Sequence, residues 1–453
     1  MRSTPGPQSR ASGPPGACDT ELATLRKVQW RLLPFLGLLY FAAFVDRVNV
    51  GFAAMPMNRD LGLSSEAYGL GAGIFFIGYC IFEVPSNLVL HKLGARRWIA
   101  RIMIIWALLA GAMACLRGPI GFYALRFALG VAEAGFFPGI VYYLTHWVPA
   151  QHRARMVGMF MTAIPLSTAL AGPLSGAILG LDGTLHMAGW RWLYLCETVP
   201  SLLLGLATLL YLPDAPAQAT WLEAHERDWL TRTLEAEGSR IRARSPHSVG
   251  AALMSPRILS LGVGYFGVEL ALYGLVLWIP QLLISLGIPG QAVGAVVAIP
   301  YAMAAMGMVW WSRRSDRTNE RVWHLVSAAL LGCAGFIASG YLERSAVLSV
   351  IGITLAAGGT LAILPIFWTL PAALLRGAAA AGAIALINAI GNLGGFAGPY
   401  LIGWMKTTTG SFAGGLTAVA GGLLMTAVTV LIIGHASPAE RRPAAASSAG
   451  ESV

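Results

Sequence analysis

Long apolar runs separated by short polar stretches make up most of the chain. Twelve such runs can be read along it, at 32–54, 68–90, 98–116, 119–148, 156–180, 192–212, 258–285, 291–311, 323–341, 346–371, 379–404 and 412–434. A helix needs about 20 predominantly apolar residues to cross a hydrocarbon layer ~30 Å thick, and each run is close to or above that length. The pattern therefore predicts an all-α polytopic membrane protein with twelve transmembrane helices.

The polar segments divide the chain into five regions. The N-terminal region is rich in Pro, Gly and Ser and lacks the apolar core of a signal peptide, so we expect a disordered tail. In the central polar region, apolar residues recur at helical spacing from Trp221 to Leu234, which predicts an amphipathic helix that acts as a tether. The regions are a tail at 1–29, a six-helix bundle at 30–212, a central loop at 213–257, a second bundle at 258–434 and a tail at 435–453.

The two bundles carry traces of an internal repeat. An offset of 225 residues superposes Lys92 on Arg317, Arg96 on Arg321 and Trp98 on Trp323. A second landmark agrees, because the Ala-Gly-Pro triplet at 171–173 recurs at 397–399. Half of the chain is about this long, so the two halves are predicted to be parallel repeats with the functional site between them near the membrane midplane.

Composition supports the membrane class and argues against several functions. Hydrophobic residues make up 56% of the chain and charged residues only 11%, whereas soluble proteins carry about 25% charged residues. The five cysteines are scattered, without metal-ligand or disulfide spacing. We find no Ser/His/Asp set and no nucleotide-binding loop, so the sequence predicts neither an enzyme nor a metal or organic cofactor.

The net charge of +10 could suggest a nucleic-acid partner, but the placement of the charges argues otherwise. On the side that holds both termini, the tails and loops carry 23 Lys and Arg residues, and the opposite loops carry 5. This asymmetry follows the positive-inside rule and predicts that both termini and the central loop are cytoplasmic. The partner expected from the sequence is therefore the lipid bilayer and not nucleic acid.

Four charged residues interrupt two of the apolar runs. Asp46 and Arg47 lie in the first run, and Arg126 and Glu133 lie in the fourth, seven residues apart and so on one helix face. An ionisable side chain at the bilayer centre costs at least ~2.5–3.5 kcal/mol, so these residues are expected to face a polar cavity. The alternative is a buried Arg–Glu pair that only holds helices together.

The depth of these residues suggests their chemistry. Asp46 and Glu133 each lie 14 residues from the start of their runs, which is about 20 Å along a helix and close to the midplane. Arginine binds carboxylates through two parallel hydrogen bonds, and carboxylates in a low-dielectric cavity can load and unload protons. The combination favours proton-linked movement of a small organic anion.

Other polar residues share helix faces with helical spacing. Tyr79 and Glu83 lie four apart in the second run, and Glu83 either lines the cavity or ties to the basic loop that follows. Tyr265, Glu269 and Tyr273 share a face of the seventh run. Asn388 and Asn392 do so in the eleventh run, where they either face the cavity or link neighbouring helices.

These features resemble the major facilitator superfamily and, within it, the anion:cation symporter group of tartrate, phthalate and sugar-acid transporters. The resemblance extends from about Val28 to Gly434. The motifs that carry it are the gating loop at 87–97, Arg126 with Gly130, Asp-Arg-Val-Asn at 46–49, Glu-Ala-Gly-Phe-Phe-Pro-Gly at 133–139, Gly-Trp-Arg-Trp at 189–192, and Leu-Pro-Asp-Ala-Pro at 212–216 before Trp221.

The resemblance implies two six-helix bundles that take up a small carboxylate with protons by alternating access. It implies that Asp46 and Glu133 take up the protons, while Arg47 and Arg126 bind the anion. We add Tyr79, Asn388 and Asn392 as expected substrate-binding residues and assign the cytoplasmic gate to the loop residues Lys92, Arg96, Asp316, Arg317 and Arg321. The implied protein is a monomer in the inner membrane that uses protons as its coupling ion.

Two departures from the family pattern keep alternatives open. His91 occupies the usual acidic position of the first gating loop, whereas Asp316 keeps it in the second. The segment 172–176, Gly-Pro-Leu-Ser-Gly, resembles a motif associated with antiporters. A tartrate-like hydroxy or sugar acid is the expected substrate; the alternatives are a phthalate-like aromatic carboxylate and an organic-anion antiporter or exporter.

Overall fold

The computed structural model describes residues 17–243, 255–374 and 378–435. These residues form sixteen α-helices: α1 (Ala17–Leu61), α2 (Ser65–Leu93), α3 (Ala95–Ala112), α4 (Pro119–Glu133), α5 (Phe136–Thr145), α6 (Ala150–Met161), α7 (Ala163–Leu179), α8 (Gly189–Tyr211), α9 (Ala224–Ala243), α10 (Pro256–Ser285), α11 (Gly290–Thr318), α12 (Val322–Tyr341), α13 (Ala346–Phe367), α14 (Thr369–Leu374), α15 (Ala378–Thr409) and α16 (Ala413–His435). Within the described ranges, twelve helical segments are long and apolar enough to cross a membrane. The predicted all-α fold with twelve spans is confirmed.

The fourth span is not the continuous helix that the apolar run 119–148 predicts. α4 ends at Glu133, and α5 begins at Phe136. Gly135 between them has φ +86°, a left-handed conformation that costs glycine little and other residues much more. A Cβ atom at this position would also lie 2.3 Å from the Ser86 hydroxyl on α2. The break therefore places Glu133 at a helix end, tightly packed against α2.

The two halves, α1–α8 and α10–α16, meet at residues that the repeat makes equivalent. Arg47 on α1 donates a hydrogen bond to Tyr273 on α10, 226 residues later. A Cβ atom on Gly51 would lie 3.1 Å from the carbonyl oxygen of Leu277, again 226 residues later. Residues can contact their own repeat equivalents only near the axis that relates the halves. Arg47 therefore lies near the axis that relates the two halves.

Small residues allow the halves to approach closely at two further helix pairs. A Cβ atom on Gly69 of α2 would lie 2.5 Å from the Pro399 carbonyl oxygen of α15. One on Gly172 of α7 would lie 2.3 Å from the Gly294 carbonyl oxygen of α11. Such small-residue contacts drive helix packing in membranes. The contact between Gly69 and Pro399 lies near the start of α2, so the halves are in close contact at that end.

The N-terminal segment differs from the disordered tail expected at 1–29. α1 begins at Ala17, and the prediction is wrong for residues 17–29; residues 1–16 lie outside the described part of the chain. Leu25 and Val28 are buried, which explains why this segment is ordered. The expectation was wrong because composition averaged over 29 residues hid these apolar positions.

The predicted amphipathic helix of the central loop exists as α9 and docks on the first half. Lys27 of α1 forms an ion pair with Glu226 at 2.7 Å, and Trp229 donates a hydrogen bond to Glu21 at 2.9 Å. Burial alone would raise the pKa of Glu226, but hydrogen bonds from Lys27 and the Glu223 backbone hold it below its ordinary value. These contacts hold α9 against the N-terminal part of α1. Residues 244–254 of this loop and 436–453 of the C-terminal tail lie outside the described ranges.

Candidate functional site

Arg47 is the central cation of the site. One of its terminal nitrogens forms an ion pair with Glu133 of α4, and the other donates to the Tyr273 hydroxyl at 2.6 Å. Its guanidinium carbon lies 5.4–5.9 Å from four aromatic ring centroids, a range in which cation–π attraction contributes; the rings belong to Phe44, Phe75, Tyr79 and Tyr273. The arginine fork is thus held between a carboxylate of the first half and a phenol of the second.

The Arg47–Glu133 pair is almost completely removed from solvent. The Arg47 side chain is 10% exposed and that of Glu133 is 2% exposed. Removing one partner of such a pair costs about 3–5 kcal/mol, because it leaves a charge buried without compensation. Any group that displaces Glu133 from Arg47 must therefore itself be an anion if the buried cation is to stay paired.

Arg126 is buried but has different partners from those that the sequence suggested. It donates to the backbone carbonyl oxygens of Ala72 at 3.0 Å and Gly71 at 3.4 Å, both on α2. It shares a small internal cavity with Asp46, Arg47 and Glu133. The four charged residues predicted to meet at one depth do lie together, and Arg126 is held by helix carbonyls and not by a direct ion pair with Glu133.

The remaining charge of this group, Asp46, faces α8. Its Oδ2 atom accepts a hydrogen bond from Ser201 at 3.1 Å. One turn along α1, Asn49 donates to Glu197 of α8 at 2.5 Å. Asp46 and Glu197 are both buried. The site thus contains a fifth ionisable group that the sequence analysis did not propose.

A narrow cavity separates the two halves next to Arg47. Its volume is about 40 Å³, enough for a water molecule but not for an organic acid unless the halves move apart. It is lined by Tyr40, Phe44, Arg47, Tyr79, Phe137, Met161, Ile164, Tyr265, Glu269, Leu272, Tyr273, Leu364, Asn388 and Asn392. The predicted residues Arg47, Tyr79, Asn388 and Asn392 therefore share one cavity.

Glu83 links the two halves near this cavity. Its carboxylate, on α2, accepts hydrogen bonds from Asn388 at 2.7 Å and from Asn392 at 3.4 Å, both on α15. Glu83 is 2% exposed. Of the two roles considered for Glu83, the contact across the halves agrees with a place beside the cavity and not with a tie to the basic loop. The asparagine amides already have a carboxylate partner here.

The proposed gating residues form ion pairs within their own halves. Arg96 contacts Asp214, with an Nε–Oδ2 distance of 3.5 Å, and its backbone N–H donates to the same carboxylate at 3.1 Å. Arg321 forms an ion pair with Asp316 at 2.5 Å. Arg96 and Arg321 are equivalent under the repeat, but their partners are not, because Asp316 occupies the position equivalent to His91 and Asp214 follows the last span of the first half. Each half therefore carries its own, different loop contact. Among the described residues, no ion pair joins Lys92, Arg96, Asp316, Arg317 or Arg321 across the two halves.

Two residues of these contacts were missed as site residues, although the sequence carried a signal for both. Glu197 is a lone carboxylate in an apolar run, the same feature that identified Asp46. Asp214 lies within the Leu-Pro-Asp-Ala-Pro motif, and the structure gives that aspartate a physical role because it holds the loop that begins α3.

Comparison with known proteins places the chain among transporters. It is 50% identical over 421 residues to the "Putative tartrate transporter" of Agrobacterium vitis, covering 93% of each chain. It is 44% identical to the "Quinolone resistance transporter" of Acinetobacter baumannii, over 88% of this chain and 92% of the relative. It is 38% identical to the "Inner membrane transport protein RhmT" of Escherichia coli, over 88% and 92%.

Solved structures support the same fold. A bacterial homologue of the human lysosomal transporter Spinster, in an inward-facing occupied conformation, aligns with TM-score 0.72 at 19% identity, covering 91% of this chain and 98% of that one. The xylose transporter XylE of E. coli, partially occluded and inward open, gives TM-score 0.72 at 15% identity, over 92% and 98%. Residues 36–399 match the family model of the Major Facilitator Superfamily. The chain is therefore a multi-pass membrane transporter, not an enzyme, and belongs to the Major Facilitator Superfamily.

Proposed function

We propose that this transporter takes up a small organic carboxylate, a tartrate-like hydroxy acid or a sugar acid, together with protons, by alternating access. The proposal rests on the position of Arg47, which lies near the axis between the halves and lines their cavity. Its ion-pair partner is an internal carboxylate, Glu133. An anion entering the cavity meets a cation whose partner is exchangeable. The relative described as a tartrate transporter, at 50% identity, supports this substrate class.

Proton coupling follows from the exchange of partners on Arg47. When a substrate carboxylate takes Arg47, Glu133 loses its cation while it stays buried. An isolated buried carboxylate is unstable as an anion and gains a proton instead. Substrate binding then draws a proton into the site, and neither species moves alone. Asp46 takes part as the second proton acceptor and Arg126 as a second cation, both in the small internal cavity that they share with Arg47 and Glu133.

The second half supplies the remaining recognition. Tyr79 of the first half and Tyr273 of the second flank Arg47, while Asn388 and Asn392 offer amide donors to a substrate hydroxyl once they leave Glu83. Closure around the substrate is then a movement of the halves that changes the Glu83 contact. The expected setting is the inner membrane, with both termini in the cytoplasm and the protein acting as a monomer.

A second candidate function is export of an aromatic anion. Two observations favour it: the relative described as a quinolone resistance transporter is 44% identical, and the cavity is lined by five aromatic side chains, Tyr40, Phe44, Phe137, Tyr265 and Tyr273, in addition to Tyr79. Aromatic rings stack on planar ligands as readily as they surround a cation. Substrate and direction must therefore be tested together.

The test is uptake by the purified protein in liposomes with an acidic exterior. Labelled tartrate, a sugar acid, phthalate and a quinolone are compared at equal concentration, with and without a proton ionophore. We expect accumulation of tartrate or the sugar acid that the ionophore abolishes. Accumulation of phthalate alone would change the substrate class. Quinolone uptake that occurs only when the gradient is reversed, with an acidic interior, would indicate exchange of quinolone for protons and therefore export.

An arginine-to-lysine exchange provides the matched control. Arg47→Lys removes the planar fork from the cavity, whereas Arg101→Lys changes an arginine of α3 whose guanidinium lies 3.8 Å from the centroid of the Trp98 ring. Uptake is expected to fall in the first variant and to persist in the second. Equal loss in both variants would point to a general effect of arginine replacement on the membrane-embedded fold.

A further inference from the structure

Two buried carboxylates lie together between α1 and α8. Asp46 is 6% exposed and Glu197 is 4% exposed. Each accepts one hydrogen bond across the helix pair, Asp46 from Ser201 and Glu197 from Asn49. Asp46 and Asn49 are three residues apart on α1, and Glu197 and Ser201 are four apart on α8, so the contacts form two successive rungs of an antiparallel helix pair.

We call the part of the α1–α8 interface that contains these two contacts the carboxylate layer. This layer contains more hydrogen-bond acceptors than donors. Asp46 Oδ1, Asn49 Oδ1 and Glu197 Oε1 are buried and have no hydrogen-bond partner within the described residues. Among the unpartnered buried donors of the described residues, Arg47 Nε belongs to a side chain that lines the same cavity as Asp46 and Asn49. The terminal nitrogens of Arg47 are used by Glu133 and Tyr273. Buried acceptors without donors are costly, and a bound proton would supply the missing donor.

The surrounding groups do not neutralise the two carboxylates. From α4, Arg126 and Glu133 face this layer, and Arg126 donates to carbonyl oxygens of α2. Tyr194 of α8 and, from α3, Trp106 and Ala110 complete the lining. α7, which packs against both helices, carries no titratable side chain between 163 and 179. Two like charges in one buried layer repel strongly enough that one of the two is expected to be protonated.

We propose that Asp46 and Glu197 form a carboxyl pair that binds one shared proton between α1 and α8. This inference rests on the proposed proton coupling and gives it a second site. Glu133 responds directly to the substrate because it is paired with Arg47, while Asp46 of the carboxyl pair lines the same small internal cavity as Arg47 and Glu133. Negative charge brought to Arg47 by a substrate raises the demand for a proton in the neighbouring pair, which links anion binding to proton loading.

The test is an infrared titration of the purified protein without substrate, following the carbonyl band of protonated buried carboxyl groups. Glu197→Gln and Asp46→Asn each remove the repulsion that holds the proton on the remaining carboxyl group. We expect the proton affinity of the remaining group to fall by about tenfold or more, equivalent to ~1.4 kcal/mol. The double variant is expected to lose the part of the carbonyl band that titrates with the pair.

A milder variant keeps both carboxyl groups and predicts a change of opposite sign. Ser201→Ala removes the hydrogen bond that favours the charged form of Asp46, so the pair should bind its proton more tightly. Glu226→Gln, which removes a carboxylate of α9 outside the spans, should leave this part of the carbonyl band unchanged and serves as the control. The pair is supported if both single carboxyl variants weaken proton binding and Ser201→Ala strengthens it.

Two results would overturn the shared site. The first is a titration unchanged by Glu197→Gln but removed by Asp46→Asn, which would give the proton to Asp46 alone. The second is a titration unchanged by both variants. Because no substrate is present, this measurement does not depend on the transport assay: failure of proton-driven tartrate uptake would reject the proposed function, whereas only the titration decides on the pair.

Discussion

The two halves of the transporter have the same fold but a different distribution of charge. The first half buries the charged residues Asp46, Glu83, Arg126, Glu133 and Glu197, together with the mostly buried Arg47. At the same depth, the second half offers Glu269 and otherwise neutral groups, including Tyr265, Tyr273, Asn388 and Asn392. The comparison suggests that the first half handles charge and protons, and that the second half supplies shape and hydrogen bonds.

The hydrogen bond between Arg47 and Tyr273, near the axis between the halves, is an example of this difference. Arg47 and Tyr273 are repeat equivalents, yet one is a cation and the other a phenol. A symmetric pair of arginines at this position would repel at short range in a low dielectric. The phenol accepts a hydrogen bond from the arginine and adds no charge. The different residues at these two positions therefore avoid the charge repulsion that two arginines would cause.

The largest expected effect comes from the two members of this contact. Arg47→Ala leaves Glu133 buried without a cation, so we expect transport to fall by at least about 100-fold, which ~3 kcal/mol would produce. Tyr273→Phe removes one hydrogen bond, and a loss of a few-fold to about tenfold is expected. Initial rates of labelled tartrate uptake measure both. Equal losses in the two variants would contradict the division of roles between the halves.

The next effect concerns coupling within the first half. Glu133→Gln removes the group that gains a proton when the substrate takes Arg47, so concentrative uptake under a proton gradient should fall sharply, to the level that the second proton acceptor, Asp46, supports. Glu269→Gln, the corresponding change in the second half, should lower accumulation less, because Glu269 is not ion-paired to Arg47. Steady-state accumulation ratios decide between them. Full accumulation in Glu133→Gln would remove this residue from the coupling scheme.

A smaller effect is expected where the halves are linked by Glu83. Hydrogen bonds to a charged group contribute about 1.5–3 kcal/mol, so Asn388→Ala should shift the balance between conformations by at least about tenfold. Asn392→Ala, whose contact is longer at 3.4 Å, should shift it less. Cysteine accessibility from each side of the membrane reports the populations. The assignment fails if the Asn392 variant shifts them more than the Asn388 variant does.

The smallest effect is expected at the loop pairs. Asp214 and Asp316 hold Arg96 and Arg321 in equivalent loops, and partly exposed pairs of this kind are worth ~0–1 kcal/mol. Asp214→Asn and Asp316→Asn should each change the transport rate by no more than a few-fold and leave substrate affinity unaltered. Rate and half-saturation are measured together for both variants. A lost affinity in Asp316→Asn would place this residue in the binding site.

Much of this architecture could be predicted from the sequence because it depends on signals that single residues carry. Apolar length gave the spans, and charges inside apolar runs identified Asp46, Arg47, Arg126 and Glu133, which the structure brings together. The break after Glu133 could not be read in the same way, since Phe136, Phe137 and their neighbours continue the apolar run. Hydropathy does not distinguish a helix from a helix with a left-handed glycine inside it.

The partners of the charged residues were harder to predict than their positions. Arg126 is held by backbone carbonyl oxygens, which every residue possesses, so no sequence pattern points to Gly71 or Ala72. The links from Asn49 to Glu197 and from Asn388 to Glu83 depend on which helix faces meet, and one sequence does not specify this. The charge of a residue can be read directly from the sequence. The partner that compensates this charge depends on how the helices pack, and the sequence does not show that directly.

Proton-coupled uptake requires that protons move with the substrate, and this movement can be measured. Liposomes containing the purified transporter and a trapped pH-sensitive dye are given external tartrate with no initial pH gradient. Proton-coupled uptake predicts that the interior becomes acidic as tartrate enters. In Arg47→Lys, tartrate entry and acidification of the interior should both be lost. Tartrate entry without a change in internal pH, or with alkalinisation of the interior, would contradict it.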